Sequence, residues 1–183
     1  VIADILSKNG AAVTVIMPMG APSTENAEYY YNRLDSVDFG NETDIGKSDL
    51  IIDALFGIGL NRAPTETVEK IINASNTAPC PRISVDIPSG VITDSGRVPG
   101  KAILADLTVT FIALKPCFLL PPGSDYCGEV TALRRADTNT KQQKNRALKN
   151  GGIIPTKVPS ARLLPFAAAT ALQALPCLRQ EGR

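Results

Sequence analysis

Apolar residues in this chain fall into short runs of two different periods, separated by polar turns. Val1, Ile2, Ile5 and Leu6 recur at helical spacing, and Lys8-Asn9-Gly10 supplies a helix end. Residues 12–17 then read as a strand, and residues 22–32 as a helix with Ser23 or Thr24 as cap and Glu25 in its first turn. Residues 35–47 are polar and read as loop. Leu50, Ile51 and Ile52 form a β-branched run that resumes after Asp53 with Ala54, Leu55 and Phe56. A continuous apolar run of this kind suits a parallel strand buried on both faces. Residues 64–73 predict a helix with Val68, Ile71 and Ile72 inward, and residues 76–81 a loop. Strands follow at 83–85 and 107–112, with short edge strands expected at 118–120 and 129–131. Strands alternating with helical patterns imply an α/β fold: a three-layer αβα sandwich, Rossmann-like, with a mostly parallel sheet.

Two of these strands end in the same way. Asp53 interrupts its apolar run, and an unpaired carboxylate inside a buried strand is costly, so it is expected at the C-terminal end, where open sheets place ligands. Gly57 and Gly59 follow, then Pro64-Thr65-Glu66-Thr67 opens the helix. Glycines let a backbone approach a ligand, and bare amides at a helix start attract anions. The loop Gly57, Ile58, Gly59, Leu60, Asn61, Arg62 and Ala63 is therefore a candidate phosphate cradle, or else a turn that needs glycine for conformation alone. Arg62 could pair with a phosphate through both arms of its guanidinium, or be a solvated surface charge. The strand 83–85 ends in Asp86, followed by Ile87-Pro88-Ser89-Gly90. The two aspartates and two glycine turns could face one cleft. Each aspartate has a plainer alternative, capping the amides of its own turn.

Composition narrows the chemistry. The chain has 183 residues, 44% of them hydrophobic, which is enough for an aliphatic core. No apolar run reaches membrane-spanning length and no signal peptide is evident, so a cytoplasmic protein without membrane contact is expected. There is no histidine, which excludes Ser-His-Asp and Cys-His catalysis and the usual zinc sites. Ser89 consequently has no histidine to activate it as a nucleophile. Cys80, Cys117, Cys127 and Cys177 are scattered, as reduced thiols would be. Asp86, if partly desolvated, is the candidate acid/base. Lys115 could be a desolvated acid or phosphate contact, or a snorkelling surface lysine. Tyr29, Tyr30 and Tyr31 could stack a base, or pack one face of their helix and expose the other.

Three stretches in this order carry a family resemblance: Asp53-Ala-Leu-Phe-Gly-Ile-Gly-Leu60, Val85-Asp-Ile-Pro-Ser-Gly90, and Ala105-Asp-Leu-Thr-Val-Thr-Phe111 followed by Leu114-Lys-Pro116. The chain resembles the YjeF N-terminal domain, NAD(P)H-hydrate epimerase, over about residues 1–131. The resemblance implies interconversion of the R and S forms of hydrated NADH or NADPH, a step in nicotinamide cofactor repair. It implies a potassium ion held by Asp53 and Ser89, dinucleotide binding by residues 57–63 and Asp86, and catalysis by Asp86. It also implies an ADP/ATP-dependent dehydratase domain or protein as functional partner, and leaves room for a homodimer. In the family, the first helix follows a strand and an Asn-Asn-Gly-Gly-Asp-Gly loop. Neither precedes Val1 here, so this domain is expected to lack them, which puts the activity of this polypeptide in question. Related domains also serve as non-catalytic scaffolds, and an inactive remnant is a further alternative.

The texture changes after Thr131. Residues 1–131 carry 9 basic and 16 acidic side chains, and residues 132–183 carry 10 basic and 2 acidic. Such a split marks a different partner or origin. Residues 132–183 read either as sequence foreign to the family, as after a frameshift, or as a basic linker. Phe166 is the only aromatic in this tail, which argues against nucleic-acid binding.

Overall fold

The computed structural model describes residues 1–133. Four parallel strands form the main sheet: Ile51–Asp53 (β3), Arg82–Val85 (β4), Leu107–Phe111 (β5) and Glu129–Leu133 (β6), side by side in that order. Before them, Thr14–Val15 (β1) and Asp38–Phe39 (β2) form a separate parallel pair. Helix α1 spans Ile2–Lys8, α2 Glu25–Tyr31 and α3 Glu66–Thr77. The fold is α/β and Rossmann-like, as the alternating pattern implies.

The register explains how the sheet's faces differ. Asp53 pairs with Ser84, and Ser84 with Thr108. Strand side chains alternate, so these residues share one face with Thr110. All four are buried, at 3% exposure or less. The opposite face carries Ile83, Val109 and Leu133, with Leu107 and Phe111 packed against them. The sequence Leu-Thr-Val-Thr-Phe thus puts its apolar residues on one face and its hydroxyls on the other, and both faces are inside.

Helix α3 covers part of the hydroxyl face. Val68, Ile71, Ile72 and Ser75, spaced at i, i+3, i+4 and i+7, are its buried residues. Ile71 belongs to a core cluster against which Ile51 and Leu55 pack, and Val68 and Ile72 to one with Ile103 against which Phe56 packs. The helix runs four residues beyond the expected Asn73. Polar residues there look like a loop, but tertiary contacts hold them helical. The Arg82 guanidinium reaches the carbonyls of Ser75, Asn76 and Ala78 at 3.4–3.5 Å, and Asn76 bonds both Ala102 O and Leu104 N at 2.9 Å. A cation at a helix C-terminus also favours its dipole.

Other expectations need correcting. The strand at 12–17 is only Thr14–Val15, and its partner β2 lies in the stretch 35–47 that reads as loop. That stretch also holds a 3-10 turn, Glu42–Lys47, fixed by a capping box between Asn41 and Asp44. Residues 118–120 are not a strand. Pro116 opens a 3-10 turn, Pro116–Phe118, in which the buried Cys117 donates its N–H to Thr93 O at 2.9 Å. Strand β6 is an edge strand as expected and continues two residues past Thr131. The residues from 134 on, with Cys177, lie outside the described residues. Thr24 caps α2, as one of the two candidates. Within α2, Tyr29 is exposed and lies 5.0 Å from the Arg33 guanidinium, while Tyr31 packs on Phe39 at 5.6 Å.

Cys80, Cys117 and Cys127 are free thiols. Burial pushes the Cys117 thiol up to about 11 and that of Cys127 up to about 12, against an ordinary value of 9.0. Between pH 9 and 11 the unfolded chain therefore loses thiol protons that the folded one keeps, and this contribution to stability falls as pH rises. Of the three described thiols, a disulfide reagent at pH 8 should modify Cys80 first, and Cys117 and Cys127 only as the chain unfolds. Equal rates at Cys80, Cys117 and Cys127, read by peptide mapping of the native protein, would contradict the buried placement.

Candidate functional site

The C-terminal ends of β3, β4 and β5 lie at the same edge of the parallel sheet, and two carboxylates stand there in different settings. Asp53, the last residue of β3, is enclosed. Its Oδ2 accepts from Ser84 Oγ and from Ser89 N–H, both at 2.8 Å. Its Oδ1 accepts from Ser89 Oγ at 2.5 Å and from Leu55 N–H at 3.3 Å. Burial pushes the Asp53 carboxyl above its ordinary value, and the bonds from Ser89, Ser84 and Leu55 pull it back without cancelling that effect.

Ser89 is as buried as Asp53 and serves as the clamp between the two turns. Its hydroxyl donates to Asp53 and accepts from Phe56 N–H at 2.9 Å. The start of the glycine loop after β3 is thereby fixed to the turn after β4. That turn needs Gly90, whose φ is +104° and where any Cβ would run into the backbone of Lys101 and Ala102. Farther along, Thr93 Oγ1 lies 3.5 Å from Ile58 O.

Gly57, Ile58, Gly59, Asn61, Arg62 and Ala63 are exposed, with Leu60 half-buried. Gly57 and Gly59 are informative for what they do not do. Neither has a φ in the left-handed region, and a Cβ built on either would meet nothing within 4 Å. Conformation and packing among the described residues therefore leave these glycines unexplained. At the far end of the loop Pro64 is buried and α3 begins at Glu66.

Asp86 lies one residue past β4, with its side chain 21% exposed. Its φ is +71°, and Ile87 N–H bonds back to Val85 O at 3.0 Å, a γ-turn of the strained hand. The same device recurs on β5: Ile112 has φ +70°, and Ala113 N–H bonds Phe111 O at 2.8 Å. A β-branched residue in this region is an outlier, with a cost of about 1–3 kcal/mol. Ile112 is 79% exposed, so packing within the chain offsets little of that cost. The second turn brings the chain back towards Asp86. Lys115 Nζ lies 2.5 Å from Asp86 Oδ1, 2.6 Å from Thr110 Oγ1 and 2.9 Å from Phe111 O. Asp86 Oδ1 also accepts from Thr110 Oγ1 at 3.0 Å and Phe111 N–H at 3.2 Å.

The sequence brings Asp53, Ser89 and the 57–63 loop together as anticipated, but Asp53 lies beneath the edge and not on an open cleft. Asp86 is the accessible carboxylate. Ser84 and Thr110 were not foreseen as partners of the two aspartates. Their signal was the alternation of hydroxyls with apolar residues in β4 and β5. Lys115 is neither a snorkelling surface residue nor free to meet a phosphate.

Asp53→Asn should destabilise the fold by about 3 kcal/mol in chemical denaturation, because an amide group replaces one of two acceptor oxygens and faces buried donors. A change within experimental error would show that the four hydrogen bonds to Asp53 matter little.

The chain is similar to several known proteins. The chain is 48% identical over 82 residues to the bifunctional NAD(P)H-hydrate repair enzyme Nnr of Escherichia coli (strain K12), covering 45% of this chain and 16% of that one. It is 38% identical over 137 residues to an NAD(P)H-hydrate epimerase of Limosilactobacillus reuteri (strain DSM 20016), covering 70% and 63%. The crystal structure of yeast ynu0 matches with a TM-score of 0.54 at 22% identity, covering 71% of this chain and 57% of that one, and so supports the fold. In each case the chain spans less than two thirds of the relative's length. Residues 1–117 match the family described as YjeF-related protein N-terminus, and the chain belongs to that family.

Proposed function

We propose that this domain binds hydrated NADH or NADPH at the C-terminal edge of its sheet and interconverts the R and S epimers. The observation that carries this reading is the pair Gly57 and Gly59, which no local requirement explains. Glycine where neither φ nor packing demands it, in an exposed loop leading to a helix start, fits close approach of a phosphate-bearing ligand. Asn61 and Arg62 add donors on the same loop.

Epimerisation at a carbon bearing a hydroxyl requires that a proton leave or reach that hydroxyl. Asp86 fits the task through its second oxygen. Among the described residues the three donors to this carboxylate all meet Oδ1, and the side chain is 21% exposed, which leaves Oδ2 as the oxygen to meet substrate. A carboxylate oxygen within hydrogen-bond reach of the hydroxyl can accept its proton as the carbonyl forms and the bond from that carbon to the ring nitrogen breaks, its electron pair and the proton going to the nitrogen; reclosure on the other face of the carbonyl reverses these transfers and gives the other epimer. The S epimer produced is what a dehydratase consumes in the repair reaction, so a dehydratase domain or protein is the proposed partner.

Potassium is a different matter. Hard oxygen ligands suit such an ion, and Asp53 and Ser89 do stand side by side. Yet Asp53 carries four hydrogen bonds, and a carboxylate offers about four lone-pair sites. Ser89 is engaged with Asp53 and Phe56. As arranged, these two residues do not fit a potassium site.

The test is conversion of purified R-hydrated NADPH by the chain, followed by chromatography. Asp86→Asn should lower the rate by about 100-fold or more. Gly57→Asp should abolish binding by setting a carboxylate against phosphate, with unchanged thermal stability because a side chain there meets nothing of the protein. A chain that neither binds nor converts the hydrate, yet binds RNA with steep salt dependence, would favour a scaffold module instead.

A further inference from the structure

We propose that Lys115 is a positioning residue for Asp86, pinning one carboxylate oxygen so that the other is presented as the base of the cleft; this rests on the epimerase reading above. A lysine ammonium has three N–H donors. Those of Lys115 have three acceptors at 2.5–2.9 Å: Asp86 Oδ1, Thr110 Oγ1 and Phe111 O. Its side chain is 16% exposed. With every donor engaged, Lys115 cannot reach a phosphate or hand a proton to substrate without breaking this set.

The same geometry makes the two oxygens of Asp86 unequal. Oδ1 receives Lys115, the Thr110 hydroxyl and the Phe111 amide. These donors come from β5 and from the turn after it, so they fix both the position and the rotation of the carboxylate. Asp86 itself sits on a γ-turn one residue past β4, with its backbone N–H bonded to Val109 O at 2.8 Å, so β5 holds the backbone as well as the carboxylate. Without Lys115 the carboxylate would keep two donors and lose the charged one, which is the stronger type of hydrogen bond.

Neighbouring charges do not offer a substitute. The Cys117 thiol feels both Lys115 and Asp86, and the Asp94 carboxylate besides. Burial keeps that thiol protonated at neutral pH, since it is pushed up to about 11. Asp94 has the same sign as Asp86. Among the described residues Lys115 is the cation bonded to Asp86.

Two readouts test this, one without any activity. In the intact chain, the Lys115 ammonium should give a slowly exchanging NMR resonance that disappears in Asp86→Asn. If no such resonance is seen in the unaltered protein, the proposal is overturned whatever the enzyme does. For catalysis, Lys115→Met keeps the apolar stem and removes the donors. It should lower kcat by about a hundredfold, the scale of a misplaced catalytic group, with KM for R-hydrated NADPH changed less than about twofold. An unchanged kcat in a folded but less stable Lys115→Met would reduce Lys115 to a structural ion pair and overturn the proposal. Should that variant fail to fold, Thr110→Val removes one hydroxyl from the same set and should lower kcat less, again at constant KM. A protected ammonium in a protein that converts no hydrate would refute the epimerase reading while upholding the pinning of Asp86.

Discussion

The hydroxyl face of the main sheet is dry, and each polar group on it must find a partner inside the protein. Ser84, Thr108 and Thr110 are fully buried, and leaving a hydroxyl unpaired there would cost about 1–3 kcal/mol. Each has an acceptor: Asp53 for Ser84, Cys127 O for Thr108 at 2.7 Å, and Asp86 for Thr110. Among the described residues no buried side-chain polar atom is left unsatisfied. The two carboxylates are therefore part of how the sheet closes at its C-terminal edge. The site and the fold rely on the same hydrogen bonds.

The two carboxylates divide this work. Asp53 is fully enclosed and ties β3, β4 and the turn at Ser89 into one unit, which in turn anchors the glycine loop through Phe56. Among the described residues Asp86 is tied through Oδ1. Its exposure, the lysine folded onto it and the two strained γ-turns beside it all concern one small region. Strain of this kind persists where the surroundings over-determine the backbone, and it tends to collect at functional sites. The loop at 57–63 shows the reverse: glycines where the chain itself demands nothing.

Much of this was legible in the sequence, for physical reasons that differ from element to element. Helix α3 and strands β4 and β5 announce themselves because a steady apolar period must match a buried face. Asp53 and Asp86 stood out because a carboxylate ending an apolar strand is costly unless it has a role. Strand β1 was legible but read too long, and β2 was not legible, since a two-residue strand in a polar stretch has no period to detect. Residues 118–120 misled because three apolar residues in a row resemble a strand, while Pro116 and the Cys117–Thr93 bond make a turn. The partners Ser84, Thr110 and Lys115 were hidden for a further reason. Their roles depend on register between strands far apart in sequence, and the threonines of Leu107-Thr-Val-Thr-Phe111 look outward-facing until the second buried face is known.

The central claim is that one edge of the sheet gathers the glycine loop and Asp86 around a single dinucleotide. Amide chemical-shift mapping during titration with hydrated NADPH tests it most directly. The account predicts that shifts concentrate at residues 57–63, at Asp86 and at Phe111 to Lys115, with α1 and α2 silent. Saturable binding whose shifts fall on α1, α2 or the β1–β2 pair, and leave the 57–63 loop unmoved, would contradict it.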